Sequence, residues 1–203
     1  MARYTGPKHK ISRREGINLT GTRSRSLERR LKTPPGAHAH ARPRRMTEYG
    51  RQLREKQKLK RHFGMLEKQF RRTFQDARSS REPTGTALVK LLESRLDNVV
   101  YRLGFTPTRP MARQLVNHGH VLVNGRRVDI PSYRVSPGDT IALTEKAAEI
   151  PDVQEALQDA GHQIPSWLSR EGTQPIGRVI SEPNPEELDI PVDIELIIAF
   201  YAR

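Results

Sequence analysis

The chain has 203 residues and a net charge of +13, and hydrophobic residues make up only 34% of it, so its apolar core is modest. It contains no cysteine, which excludes disulfides and thiolate metal sites. We expect one large or two small domains from this length. With no apolar run of membrane-spanning length, secretory signal or evident transit peptide, the sequence predicts a cytoplasmic protein.

The positive charge is concentrated in the first part of the chain. Residues 1–81 hold 24 lysines and arginines against 6 acidic residues, whereas residues 82–203 hold 12 against 17. The first part therefore has a net charge of +18 and the second a net charge of −5. A field of this kind attracts a polyanion. Because no amphipathic stripe with aromatic residues for membrane insertion is evident, the predicted partner is nucleic acid and not a membrane.

Residues 1–45 are predicted to form an extended basic arm. The segment is rich in glycine, proline and arginine and has few large apolar side chains, so it cannot bury enough surface to fold alone. We expect RNA, or packing with the C-terminal segment, to order it. The candidate RNA contacts in this arm are Arg3, Lys8, Arg13, Arg14, Arg44 and Arg45.

Residues 46–90 are predicted to form a basic helical region. A first helix is expected to start near Thr47 and to run to about His62, with Leu53 and Leu59 inside. Like charges four residues apart on this helix repel by a few tenths of a kcal/mol each, so we do not expect the helix to be stable alone. A polyanion bound alongside would turn the same charges into a stabilising contribution. A second helix follows Gly64 and has an apolar face. The candidate RNA contacts on the two helices are Arg51, Arg54, Lys56, Lys58, Arg61, Arg71 and Arg72.

Residues 91–150 are predicted to form a small module of two helices and a hairpin sheet. In the first helix, apolar residues at steps of four, three and four share one face, namely Leu92, Leu96, Val99 and Leu103. The other face carries Arg95, Asn98 and Arg102. Asn124-Gly125 predicts a tight hairpin turn, and Pro137-Gly138-Asp139 predicts a second turn.

Arginines cluster at the start of the second helix of the module. Pro110 suits the first turn of that helix, and Arg109 and Arg113 are expected to point outward beside its N-terminus, where the free N–H groups and the helix dipole favour a phosphate. The alternative is that these arginines are merely solvated. The candidate RNA contacts in the module are Arg109, Arg113, Arg127, Tyr133 and Arg134, although a packing role for the tyrosine is about equally supported.

Residues 151–203 are predicted to form an acidic C-terminal region. A short helix is expected from Asp152 to Ala160, and Trp167 is interpreted as a packing residue. The last segment has helical spacing and too much apolar surface to remain undocked, so we expect it to pack against the body of the protein. The acidic cluster that includes Glu186 and Glu187 is interpreted as a solvated or protein-binding face.

Motifs within the module resemble an RNA-binding domain that recurs in ribosomal proteins, pseudouridine synthases and one class of aminoacyl-tRNA synthetases. They are Arg95-Leu96-Asp97, Gly104, Arg109, Ala112-Arg113-Gln114-Leu115, Val123-Asn124-Gly125, Pro131-Ser132 and Gly138-Asp139. The likeness identifies the module and does not by itself choose among these parent proteins.

Segments before the module, at its start and at the end of the chain resemble the family of bacterial ribosomal small-subunit protein number four. They are residues 49–59, which read YGRQLREKQKL, Phe63-Gly64, residues 67–70, residues 91–97 and the ending Phe200-Tyr201-Ala202-Arg203. The resemblance implies an α+β protein with a mainly helical basic N-terminal domain, the RNA-binding module with its short antiparallel sheet, and an extended arm.

The same resemblance implies a function in the ribosome. Such a protein binds 16S rRNA early and nucleates assembly of the 30S body. It contacts small-subunit protein five and, with proteins five and twelve, influences translational accuracy. Its basic residues near the entry channel contact mRNA, and some relatives repress the message of their own operon.

The chain departs from one pattern of the family. Many relatives hold the N-terminal arm with four cysteines around zinc, but here His9 and Ser12 stand where a Cys-x-x-Cys pair would be. Tetrahedral zinc requires four such ligands. Two histidine pairs, His38 with His40 and His118 with His120, supply only two ligands each. We therefore predict no metal and no other cofactor.

Two other classes of function remain as alternatives. An RNA-modifying enzyme of the pseudouridine-synthase type uses a similar module for targeting, but it needs a catalytic domain with a positioned acid or base. Asp97 and Asp139 lie within the module pattern, where capping and turn roles explain them. We predict no catalytic residue and no enzymatic activity. A free RNA chaperone that carries the same module is the second alternative.

Overall fold

The structure is a computed structural model that describes residues 4–37, 39, 45–187 and 192–202. The chain forms two compact units. The first comprises the described parts of Met1–Gly85 and Asp189–Arg203, and the second comprises the described part of Thr86–Leu188. The division into four segments at residues 45, 90 and 150 stays a prediction. Among the described helices, none combines the length and the apolar character that a membrane span needs.

The described residues form helices and one small antiparallel sheet, which confirms the α+β class. The helices are α1 Lys8–Glu15, α2 Arg25–Arg30, α3 Glu48–His62, α4 Glu67–Arg78, α5 Thr84–Glu93, α6 Leu96–Arg102, α7 Arg109–Asn117, α8 Glu145–Ala148, α9 Pro151–Gln158 and α10 Ile194–Tyr201. The strands are β1 Val121–Val123, β2 Arg126–Arg127, β3 Thr140–Leu143, β4 Leu168–Arg170 and β5 Ile176–Val179. A short 3₁₀ helix covers Pro185–Glu187.

The first unit is built on α3 and α4, which lie where the sequence predicted them. Thr47 caps α3, and its Oγ1 accepts a hydrogen bond from the backbone N–H of Gly50 at 3.1 Å. Leu59 is fully buried as expected, whereas Leu53 is only partly buried. In α4 the expected apolar face is present, since Phe70 and Phe74 are both buried.

The C-terminal helix α10 packs against this unit. Asp193 caps it by accepting a hydrogen bond from the backbone N–H of Leu196 at 3.2 Å. Ile197 is fully buried, and the ring of Tyr201 stacks on Phe74 with centroids 4.4 Å apart. The apolar spacing of the last segment thus buries one face of α10 against α3 and α4.

Two short helices, α1 and α2, lie in the segment for which an extended arm was predicted. Ser24 caps α2 by accepting a hydrogen bond from the backbone N–H of Leu27 at 3.4 Å. Leu27 and Leu19 are buried, and Ser12 is buried with them. A few apolar side chains therefore give this basic segment a small core.

The second unit contains the five-stranded sheet, in the order β2-β1-β3-β5-β4 with every pairing antiparallel. The predicted hairpin joins β1 to β2 through Asn124 and Gly125, which both have positive φ angles, of 50° and 76°. Strands β4 and β5 were not predicted. In β5, Gly177 lets the sheet approach α6, because a Cβ there would meet Cδ2 of Leu103 at 2.6 Å.

The module begins with two helices, and the prediction of a single helix through Leu92 and Leu103 was wrong. Helix α5 ends at Glu93 and α6 begins at Leu96, with Arg95 in an extended conformation between them. The backbone here bonds to a distant segment: Leu96 N–H donates to the carbonyl of Tyr133 at 2.8 Å, and Val135 N–H donates to that of Ser94 at 2.9 Å. These bonds replace the helical ones. All four predicted apolar residues are nevertheless buried.

Candidate RNA-binding surfaces

The sequence-predicted residues of the first unit differ widely in exposure. Arg3 and Arg44 lie outside the described residues. The exposed ones are Lys8, Arg14, Arg45, Arg51, Arg71 and Arg72. The partly buried ones are Arg13, Arg54, Lys58 and Arg61. Lys56 is buried, so the cations that the sequence grouped on α3 do not form one uniform surface.

A buried carboxylate on α1 holds two arginines of α3. The side chain of Glu15 is only 1% exposed, and its Oε1 accepts hydrogen bonds from Arg54, at 3.2 Å, and from Arg61. Arg13 is fixed separately, since its Nε donates to the carbonyl of Thr33 at 3.0 Å. Both arginines of α3 keep part of their side chain exposed, so they are positioned by α1 and still reach the surface.

Lys56 has a packing role in the structure, in place of the RNA contact that we predicted for it. Its side chain is only 6% exposed, and its ammonium donates to Glu67 at 2.6 Å and lies 4.6 Å from the centroid of the Phe200 ring. The reason is its position on α3, since Gln52, Lys56 and Leu59 follow the spacing of the buried face. That spacing is visible in the sequence and would have identified Lys56 as an inward residue.

The same carboxylate of Glu67 binds a second lysine, Lys60, at 2.8 Å. Burial alone would raise the pKa of Glu67, but the hydrogen bonds from the two ammonium groups outweigh it and hold the pKa below its ordinary value.

Helix α4 also carries exposed basic side chains beyond Glu67. Its Arg71 and Arg72 are exposed together with Lys68, which we did not predict, and the three form an accessible basic face.

In the second unit, a buried hydrogen-bonded chain runs from α5 to α7. Arg102 binds Glu93 through two bonds, from Nε at 3.0 Å and from Nη2 at 2.9 Å. Asn98 donates to the same carboxylate at 2.7 Å, and its Oδ1 accepts from Nε of Arg109 at 3.1 Å. Because Glu93, Asn98 and Arg102 are all buried, this chain fixes the side chain of Arg109 from inside the module.

A second buried carboxylate, Asp97, holds two further arginines. Arg95 donates to it twice, from Nε at 3.0 Å and from Nη2 at 2.7 Å, and Arg113 donates from Nη1 at 3.1 Å. Arg113 was expected to point outward, yet its side chain is only 11% exposed. Burial lowers the pKa of its guanidinium, although the charge of Asp97 opposes the shift. Asp97 therefore has more than the capping role that we assigned to it.

Arg95, Asn98 and Arg102 were predicted on the outer face of a helix, and all three are buried instead. Their hydrogen bonds to Glu93 and Asp97 compensate the desolvation of their polar groups. Glu93 itself was missed as a site residue. Periodicity could not have found it, because the interruption between α5 and α6 brings it beside Arg102, nine residues later.

Arg109 lies at the first position of α7, as predicted, with Pro110 next to it in the first turn. Its guanidinium carbon lies 4.2 Å from the centroid of the Tyr101 ring. No acidic residue occurs in the first turn of α7. The N–H groups at this end and the arginine together favour a negatively charged ligand.

The remaining predicted residues of the module are exposed. Arg127 and the neighbouring Arg126, which we did not predict, lie on the short strand β2. The stem of Arg127 passes over Gly119, where a Cβ would meet its Cδ at 3.0 Å. Arg134 is exposed as well, and Tyr133 is 37% exposed while its carbonyl bonds to the backbone of α6. This arrangement leaves the ring of Tyr133 accessible for stacking on a base.

The arrangement suits the binding of phosphates. In the two buried networks Arg95, Arg102 and Arg113 bind two carboxylates, and Arg109 is joined to them through Asn98 beside the start of α7. Guanidinium groups donate two parallel hydrogen bonds to a phosphate. Within the residues that the structure describes, which do not include His38 and His40, no three His, Cys, Asp or Glu side chains are grouped so as to hold a metal ion.

Comparison with known proteins gives two family models that together span most of the chain. Residues 3–93 match the ribosomal protein S4/S9 N-terminal domain, and residues 94–141 match the S4 domain. Relatives named small ribosomal subunit protein uS4 are similar over the full length of both chains. The chain is 49% identical to that of Brevibacillus brevis, 50% to that of Kosmotoga olearia and 48% to that of Thermus thermophilus.

Proposed function

This chain belongs to the uS4 family of small ribosomal subunit proteins, and we propose that it is a structural, non-enzymatic constituent of the cytoplasmic small subunit that binds ribosomal RNA. The observation that carries the proposal is the pair of arginines held beside the start of α7, Arg109 by the buried Asn98 and Arg113 by the buried Asp97. Structured RNA is recognised largely through its backbone, and cations fixed in place match a backbone better than mobile ones.

Each unit contributes its own basic surface. In the first unit the surface consists of exposed cations of α4 and α3, with Arg71, Arg72 and Arg51 foremost. In the second unit it consists of Arg109 with the exposed Arg127 and Arg134, and the largely buried Arg113 lies beside it on α7. Phosphate contacts of this kind give affinity that falls steeply with salt. Lys56 is left out of the proposal because its ammonium is buried.

We further infer that the RNA is 16S rRNA, and that binding occurs early and nucleates assembly of the 30S body. The likeness of the whole chain to uS4 proteins supports this finer assignment. Contact with small-subunit protein five, an influence on accuracy together with protein twelve, and contact with mRNA at the entry channel belong to the same proposal. The acidic stretch that includes the exposed Glu186 offers a protein-binding face.

The structure changes how the contact with protein five should be tested. Glu187 accepts hydrogen bonds from the backbone N–H and the hydroxyl of Ser166, and the Ser166 hydroxyl lowers its pKa. A substitution there would break these hydrogen bonds as well as change the charge. Glu186→Lys reverses an exposed charge without breaking that contact, and we expect it to change misreading in cells while rRNA affinity stays the same. Lost rRNA affinity would contradict the assignment.

The binding proposal is tested with the full chain and a 16S rRNA transcript. We expect the Arg71→Ala, Arg72→Ala double variant to weaken binding and to reduce the slope of log K against log salt by about two, one for each lost phosphate contact. Lys146→Ala is a matched control, since it removes an exposed cation outside both surfaces. An unchanged slope for the double variant would show that α4 does not contact the RNA.

Each of the two alternative functions predicts a different experimental result. An RNA-modifying enzyme would convert nucleotides when the purified chain is incubated with labelled rRNA, and any turnover would contradict a structural role. A free RNA chaperone would wash off 30S particles at high salt. A ribosomal constituent remains with washed particles in stoichiometric amount, and this is the result that we expect.

A further inference from the structure

Tyr101 is the residue of the module whose surroundings suggest an unassigned role. It lies on α6 and is only partly buried. One face of its ring lies against the guanidinium of Arg109, with 4.2 Å between the guanidinium carbon and the ring centroid. A second ring contact is with His162, whose ring meets it edge-on with centroids 5.8 Å apart. The tyrosine therefore stands between a predicted RNA contact and the segment that follows α9.

We propose that Tyr101 and Asn98 form a cradle that positions Arg109 for a phosphate of the RNA backbone, and that Tyr101 acts on RNA affinity only through that arginine. The inference rests on the proposed function, since it concerns the same site. Tyr101 and Asn98 together are called the Arg109 cradle.

The two sides of the Arg109 cradle constrain the guanidinium in different ways. The ring of Tyr101 holds the guanidinium over one of its faces, because a cation is attracted to the face of an aromatic ring. The Oδ1 of Asn98 restricts the rotation of the guanidinium by accepting a hydrogen bond from Nε at 3.1 Å. A phosphate accepts parallel hydrogen bonds from a guanidinium, so these two contacts restrict the directions from which a phosphate can bind it.

Each side of the cradle is itself held. Asn98 is oriented by the carboxylate of Glu93, which Arg102 binds with two hydrogen bonds. His162 is held by a hydrogen bond from its Nε2 to the carbonyl of Arg102 at 3.0 Å. This close approach depends on Gly104, where a Cβ would meet the His162 ring at 2.8 Å. The ring of Tyr101 is thus supported by a second ring, and the cradle does not depend on the RNA to form.

A mobile arginine loses side-chain freedom when it binds, and both long basic side chains carry about 2 kcal/mol of rotamer entropy. A cradle that fixes Arg109 in advance removes part of that cost from binding. The cradle therefore predicts a different experimental result from a simple requirement for positive charge at position 109. If only charge matters, a lysine at position 109 would serve equally well, but a lysine can neither stack as a plane nor donate through an Nε at this angle.

The test compares five variants of the full chain on a 16S rRNA transcript across a range of salt concentrations. We expect Arg109→Ala to bind more weakly and to lower the salt slope by about one. We expect Arg109→Lys to keep most of the slope but to lose about threefold to tenfold in affinity, and Tyr101→Leu to lose a similar factor. Tyr101→Phe keeps the ring and should bind as the unchanged chain does.

The fifth variant is the double substitution Tyr101→Leu, Arg109→Ala, which should bind no more weakly than Arg109→Ala alone. Equal affinity of Arg109→Lys and the unchanged chain would overturn the inference, and this substitution keeps the charge at a position that is not fully buried. Additive losses in the double variant would overturn it as well. If Arg109→Ala itself binds normally, the proposed RNA contact at this site fails, and that result is distinct from a failure of the cradle alone.

Discussion

The substitution Glu93→Gln tests whether the buried network supports the second unit. It replaces the carboxylate with an amide of the same shape, so Arg102 loses the charge that compensates its own. Both side chains are buried, and removing one partner of a buried ion pair costs about 3–5 kcal/mol. Folded proteins are stable by about 5–15 kcal/mol in total, so the expected loss is a large fraction.

Unfolding of this unit can be followed by itself. Trp167 is the only tryptophan of the chain, and it is 2% exposed in the core of the second unit. Its fluorescence in urea therefore reports on that unit. With m values of about 1–3 kcal/mol/M, a loss of roughly 3 kcal/mol moves the midpoint down by about 1–3 M. We expect this shift for Glu93→Gln.

The matched control is Glu182→Gln, which removes an exposed carboxylate that pairs with Lys90 at 2.8 Å in the same unit. Exposed pairs contribute at most about 1 kcal/mol, so the midpoint should hardly move. The double variant Glu93→Met, Arg102→Met should recover most of the lost stability, because apolar side chains of similar size replace both charges. Equal small shifts for Glu93→Gln and Glu182→Gln would refute the view that the buried network stabilises the unit.

Three further results are expected for the first unit. Lys56→Met should leave the salt slope of RNA binding unchanged, whereas Arg51→Ala should lower it by about one; a lower slope for Lys56→Met would return that lysine to the RNA surface. Because the pKa of Glu67 lies below its ordinary value, its ion pairs stabilise the fold above that ordinary value and are lost as the pH falls through the folded pKa. Urea titrations should therefore show a smaller loss of stability for Glu67→Gln than for the unchanged chain as the pH is lowered below about 4.5, the ordinary value. Tyr201→Leu removes the ring that stacks on Phe74 and should lower stability by about 1 kcal/mol, measured by circular dichroism in urea.

The sequence predicted those helices and turns whose conformation depends on residues only a few positions apart. Helix α3 follows its cap at Thr47, and α7 follows Pro110 in its first turn. The hairpin at Asn124 and Gly125 requires positive φ angles, which those two residue types adopt most readily. Each of these choices depends on residues within a few positions, so a single sequence contains the information needed.

Non-local contacts decided what the sequence could not predict. The separation of α5 from α6 is fixed by hydrogen bonds between residues 94–97 and residues 131–135, and the apolar spacing runs through the interruption without change. Strand β4 contains Ser169 and Arg170 after a single apolar residue, so its alternation is too weak to recognise. Its pairing with β5 becomes clear only in the folded sheet.

The largest difference concerns which cations reach the surface. Sequence reasoning took five basic residues of α3 and both arginines of α7 as RNA contacts, because charged side chains are seldom fully buried. Lys56 and Arg113 are exceptions because each has an acid beside it, Glu67 or Asp97. The acid that pairs with Lys56 lies eleven residues away and the one that pairs with Arg113 lies sixteen away, so periodicity within one helix identifies neither acid, although the spacing on α3 does place Lys56 on the buried face.

Which basic side chains an RNA can contact therefore depends more on where the acidic residues lie than on how many cations the chain has. Glu15, Glu67 and Asp97 each accept hydrogen bonds from two basic side chains, and Glu93 accepts from Arg102 and from an asparagine that in turn holds an arginine. Each such pairing cancels part of the long-range positive field, and it also holds long side chains in one geometry before binding. A protein that bound RNA by charge alone would gain from losing these acids. Retaining them is consistent with a function in which a particular arrangement of phosphates must be matched, because fixed guanidinium groups discriminate between backbone shapes whereas a mobile field of the same charge does not.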